Sequence, residues 1–456
     1  MDQTLSEQLR TGTGTSSGRQ QPSSPPPPTS LLESLPTDVL VMIMSAARST
    51  ADLHSLIRAS LALYKVFLSA KRGVLISIVA RDLGPALRDG VAATLIIPTR
   101  IESRAATYAK ECECAIQRYE ALPRGGGGLA LTRGLSTDAV VALVRTNSSV
   151  QFLIDELAAS RLPALGRIHP DAASPLTANE RQHLAQALLR HQVLARLGGG
   201  HPRPHETAVI HRFFGLSSPW EMHQLADVHG FLCEMTSRAF VCCEEPWRPS
   251  RANASLGEEK DAALGDLGVL HRKLVAERAR MAADPSLVVV AEAHRRVPPG
   301  GMAVPARFNF LIAGPLPAQK GSDRVAEGYR ELRDELYRRE DAMPLLLVAE
   351  EDDADADAPP FAWVDAHHGI NCQRWGWHAR REVMPVGQAD TTARQRIWMQ
   401  QKLELWRWLG FVFWDRGRVE LLKTRLPEYA TGWLTVAPPP DGECKLSEKV
   451  RLPRRG

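Results

Sequence analysis

Aromatic residues make up only 6% of this 456-residue chain, and no stretch approaches the roughly 18 to 20 uninterrupted apolar residues that span a bilayer. The start of the chain has no charged segment followed by an apolar run, so it does not read as a secretory leader. Its seven cysteines (112, 114, 233, 242, 243, 372 and 444) form neither an even set nor a repeated CxxC pattern. That argues against a disulfide framework and for a reducing compartment, cytoplasmic or nuclear. A surplus of one charge sign is also missing. The formal charge is +4, with Lys and Arg interspersed among acids, so no nucleic-acid footprint is visible and neither nucleic acid nor membrane is an expected partner. The basic tail KVRLPRRG (Lys449, Arg451, Arg454, Arg455) reads as a solvated terminus.

Catalytic signatures are equally scarce. There is no GxSxG elbow. The run FNFLIAGPLPAQKGSD has Lys320 flanked by Gln319 and Gly321 where a phosphate loop needs Gly before and Ser or Thr after. Pro315 and Pro317 remove two N–H donors that a phosphate nest would use. The glycine runs at 125–128 and 198–200 read as linkers. The segment WVDAHHGINCQRWGWH carries Asp365, His367, His368, Cys372 and His378, all metal-competent. Adjacent histidines on a strand face opposite ways, and no HxxxH or paired CxxC fixes a tetrahedron, so the expected reading is metal-free. Cys112 and Cys114 are two apart on an expected helix and do not share a face. The acidic run between Glu350 and Asp357 lacks the glycine and terminal Glu of a calcium loop and reads as solvated. No catalytic residue, cofactor or metal is therefore expected.

What the chain does contain is 44% hydrophobic residues in helical spacing. Residues 1–30, rich in Ser, Gly, Gln and Pro, read as a disordered lead. From Leu31 to about Ile97 short helices follow one another. Pro36 and Asp38 open the first, Ser49 or Thr50 caps a second, and Ser60 caps a third carrying Leu61, Tyr64, Phe67 and Leu68. A fourth runs from Val74 to Leu83 and stops at Gly84-Pro85. Further helices are expected at about 101–120, 136–160, 177–197, 205–240, 258–283, 322–340 and 391–409. Strand candidates are few, near 286, 307, 344 and at FVFWD near 411. In the aromatic-dense stretch 394–422, Trp398, Leu405 and Leu409 share a helical face that Trp406 and Trp408 do not. The fold class expected is mainly α. Its parts are the lead, a helical unit at 31–70, a helical body at 71–300, a small mixed α/β portion at 301–440, and a basic tail at 441–456.

The stretch SLLESLPTDVLVMIMSAARSTADLHSLIRASLALYKVF, residues 30–67, resembles the F-box, particularly its divergent fungal kind. Leu35 and Pro36 match the start and Asp38 the acid. Leu40 and Ile43 fall in the first helix, Leu53 and Leu56 in the second, with Ser60 as the small residue and Tyr64 as the aromatic. The segment MSAARSTAD is longer than the usual inter-helix link, and SLAL stands where basic residues are common. The resemblance implies a helical trio whose apolar strip, made by Leu35, Pro36, Leu40 and Ile43, packs into the linker subunit of an SCF-type cullin ubiquitin ligase. Leu53, Leu56 and Tyr64 complete the implied partner-binding set. It further implies a non-catalytic adaptor recruiting an unknown protein substrate. The alternative is a helical scaffold in which the same residues form an ordinary core.

Overall fold

A computed structural model describes residues 31–95, 105–123, 128–197, 212–239, 265–284 and 410–425. Helix α1 (Thr37–Ser45) begins behind Pro36, which stands one residue outside it in extended backbone. The Pro36 carbonyl accepts the first turn's bond from the Leu40 N–H at 3.1 Å. Asp38 places a carboxylate at the positive end of the helix dipole. Helix α2 (Thr50–Ala59) is capped by the Ser49 hydroxyl, which accepts from the Asp52 N–H at 3.0 Å. Helix α3 (Leu61–Leu83) is capped by Ser60, which accepts from the N–H groups of Ala62 and Leu63 and donates its own proton to Glu33. Helices α1 and α2 both lie on α3 and bury Leu40, Met44, Leu53, Leu63 and Phe67 between them.

The two helices expected within 61–83 are one. Gly73 sits exposed in mid-helix with open space around it, and a solvated glycine costs a helix only about 1 kcal/mol. Burial of Val74, Leu75, Ile78 and Val79 immediately beyond it outweighs that cost. A single rigid rod therefore joins the N-terminal trio to the body. It ends where Gly84, at φ 47°, takes a conformation other residues avoid.

The body is built on this rod. A 3-10 turn (Gly84–Ala86) leads into α4 (Leu87–Leu95), whose first seven residues are all buried. Helices α5 (Ala105–Ala121) and α6 (Gly128–Thr132) follow. Helix α7 (Thr137–Ile168) packs along α3, α4 and α8 (Ala178–Leu197). It runs eight residues past its expected end, through Pro163, because Ala164 and Leu165 are buried and the chain then turns back on it at Pro170–Ala173. Helix α8 is buried on nearly every side, as befits the central rod of a bundle. Helices α9 (Pro219–Ala239) and α10 (Leu267–Ala283) close over α8 and α7, α10 being capped by the Asp266 carboxylate.

Residues 410–425 return to this body. FVFWD, expected as a strand, is instead a 3-10 turn (Phe411–Phe413) followed by α11 (Arg416–Arg425). Gly410 at φ 72° turns the chain and its carbonyl accepts from the Phe413 N–H, so the aromatic run coils and drives Phe413 and Trp414 into the core. The Arg418 guanidinium bonds both carboxylate oxygens of Glu180 at 2.8 Å and the carbonyls of Ala172, Ser174 and Pro175, while the Glu180 carboxylate also accepts from the Asp415 N–H.

The chain is mainly α, with no strand among the described residues. No helix among them is long and apolar enough to cross a membrane. The helices expected at 322–340 and 391–409, the strands near 286, 307 and 344, and the histidine-rich segment around 367–378 lie outside the described residues.

Candidate functional site

Chemistry, if present, should be sought first among the buried polar groups. Four helices meet at one set of charges. The Tyr119 hydroxyl on α5 donates to Asp89 on α4 at 2.5 Å, Asp89 pairs with the Arg190 guanidinium on α8 at 3.3 Å, and Arg190 pairs with Glu221 on α9 at 2.6 Å. Arg88 lies over the Tyr119 ring and donates to the carbonyls of Tyr119 and Leu122. Burial pushes the Asp89 carboxyl up from its usual range, against the pull of Arg190, the Tyr119 hydroxyl and Arg88. Burial alone would lower Arg190, but the Asp89 and Glu221 carboxylates outweigh it and hold the guanidinium charged. Each charge has an opposite partner, with Asp89 and Arg190 buried and Glu221 half-buried, so the set acts as a transverse bolt through the bundle.

A second set contains a nucleophile type. His191 Nε2 lies 3.1 Å from His229 Nδ1, and His229 Nε2 lies 3.5 Å from the Cys233 thiol. Burial pushes that thiol up to about 12, so a thiolate is not formed near neutrality, and both imidazoles are buried. Iodoacetamide at pH 8 is expected to leave Cys233 unmodified in the folded chain and to alkylate it once urea has unfolded the protein. Mass spectrometry of the tryptic peptide reads both results, and rapid labelling of the folded chain would show the thiol to be activated. Among the described residues, no group of three or more His, Cys, Asp and Glu side chains is placed to hold a metal ion.

The outer surface offers more. Seven of the nine large apolar residues that stand exposed among the described residues lie between 31 and 68: Leu31, Leu35, Val39, Met42, Leu61, Tyr64 and Leu68. Such clustering departs from the single, scattered exposed apolar residues of an ordinary protein surface. On α1, Val39 and Met42 point away from α3, with Leu35 just ahead of the helix, and Met42 is 70% exposed. On α3, Leu61, Tyr64 and Leu68 are spaced by three and four residues and form one stripe, with Leu61 67% exposed.

The residues of the expected strip divide between the two sides of the unit. Leu35, Pro36 and Tyr64 are exposed, Ile43 and Leu56 are half-buried, and Leu40 and Leu53 are inside, at 3% and 2% exposure. Met42 was not singled out by the sequence, and Val39, which helical spacing puts on one apolar stripe with Leu40, Ile43, Met44 and Ala47, lies exposed at the margin of that stripe. Six consecutive apolar residues, Val39 to Met44, cover the whole circumference of α1, so spacing alone does not tell which side faces α3.

Comparison of the chain with protein-family models, with curated proteins and with solved structures finds no match.

Proposed function

We propose that this protein is a non-catalytic adaptor whose F-box-like N-terminal trio engages the linker subunit of an SCF-type cullin ubiquitin ligase, while its helical body recruits a protein substrate. The observation that supports this reading most is the outer face of α1. Met42 stands in solvent at 70% exposure, with Leu35 and Val39 partly exposed beside it at 37% each, on a unit whose interior is filled without them. Covering apolar surface contributes roughly 25 cal/mol per Å² before the costs of association are subtracted. Three adjacent large side chains beside the exposed Pro36 supply the kind of anchor cluster that dominates such interfaces. The compartment is that of the ligase, cytoplasmic or nuclear, in keeping with the cysteine pattern.

The test is capture of the purified linker subunit by the full chain. Met42→Lys and Val39→Lys are expected to weaken capture about tenfold or more while leaving the melting temperature unchanged. Failure of the unmutated chain to bring down the linker subunit would sink the adaptor reading and leave a helical interaction scaffold.

A further inference from the structure

The α3 stripe does not end at Leu68. Followed down the helix, the same line continues through Leu75 and Val79, which are buried in the bundle. The changeover falls at Arg72, whose guanidinium holds the turn before α7 by the carbonyls of Thr132, Arg133 and Leu135. The first two turns of α3 therefore present a helix-packing face that its own bundle covers only further along, with the α6–α7 turn standing as a wall at one end.

The charges that α3 itself carries beside this stripe are positive. Lys65 and Lys71 fall on opposite flanks of the Leu61–Tyr64–Leu68 line at helical spacing, and exposed Arg58 ends α2 just before the Ser60 cap. Along α3 the first acidic residue is Asp82, at the far end of the helix. Glu33, at the head of the stripe, is engaged by the Ser60 hydroxyl.

We propose that this face binds a partner helix carrying two or three large aliphatic side chains at three- and four-residue spacing, flanked by Asp or Glu. The apolar side chains seat on Leu61, Tyr64 and Leu68, and the acids meet Lys65, Lys71 and Arg58. Such a helix extends the line that the bundle itself covers at Leu75 and Val79, up to the turn held by Arg72. Opposite charges on the flanks set the orientation and favour this partner over basic helices. The assignment shares Tyr64 with the set implied for the ligase subunit but otherwise rests on α3, whereas the ligase reading rests on the outer face of α1.

The experiment titrates the full chain into a fluorescein-labelled synthetic helix of Leu, Glu and Ala, with leucines on one face and glutamates beside them. A second peptide with Lys in place of every Glu serves as the control. The Glu peptide is expected to bind about tenfold or more tightly than the Lys peptide, with an affinity that falls as salt is added. Lys65→Glu combined with Lys71→Glu, both at the surface, is expected to reverse the preference while the circular-dichroism melt is unchanged. Leu68→Ala is expected to weaken both peptides. Equal binding of the two peptides, no binding of either, or a preference that survives the double charge reversal would overturn the proposal. So would sedimentation showing the stripe buried between two copies of the chain, or binding to anionic vesicles that Leu68→Ala abolishes with no peptide bound.

Discussion

Replacing Leu40 by lysine is expected to unfold the N-terminal trio. Leu40 sits at 3% exposure between α1 and α3 beside the fully buried Met44. An ammonium there has no partner, and the leucine volume is lost as well, for a combined cost of about 4 kcal/mol or more. That is a large share of the roughly 5–15 kcal/mol that holds a typical domain together. Met42→Lys, two residues away on the same helix, is expected to change stability by no more than about 0.5 kcal/mol, because the new charge points into water. Urea denaturation of the two variants side by side reads the register of α1 directly. A soluble, cooperatively folding Leu40→Lys protein would mean that α1 is rotated by about half a turn.

Arg190→Ala should be the most damaging change in the body. It removes the cation between Asp89 and Glu221 and leaves the buried Asp89 and the half-buried Glu221 carboxylates without it, a loss of about 3–5 kcal/mol in chemical denaturation. Adding Asp89→Asn to that variant is expected to restore part of the loss, since one uncompensated charge disappears and the amide still accepts from the Tyr119 hydroxyl. The sign of that coupling is the check. Strictly additive losses would show that Arg190 and Asp89 do not act as a pair.

How far these features were legible in the sequence depends on the range of the interactions that make them. The starts of α1, α2 and α3 are local events, and Pro36, Asp38, Ser49 and Ser60 announced them through capping chemistry that acts within one turn. The continuity of α3 through Gly73 was hidden because a solvent-facing glycine and a helix break look alike until the burial of Val74 and Leu75 is known. FVFWD carried the composition of a strand, and nothing within it shows that Gly410 turns the chain or that Trp414 fills a hole between distant helices. The bolt of Tyr119, Asp89, Arg190 and Glu221 was invisible for a stronger reason. Each residue reads alone as an ordinary polar position on an amphipathic helix, and only tertiary packing brings the four together. The exposed apolar surface of α1 was legible as a region and not as a register. An apolar run that covers every side of a short helix says that something will be covered, without saying which side.

The clamp between Arg418 and Glu180 joins positions 238 residues apart. On a ribosome adding about 5–20 residues per second, the guanidinium is made roughly 12–48 s after the carboxylate it neutralises. Until then Glu180 waits on a turn without its cation, and the sites of Phe413 and Trp414 stand open between helices already synthesised. A nascent chain stopped short of residue 410 would carry an unfilled aromatic socket and a stranded acid on its central rod.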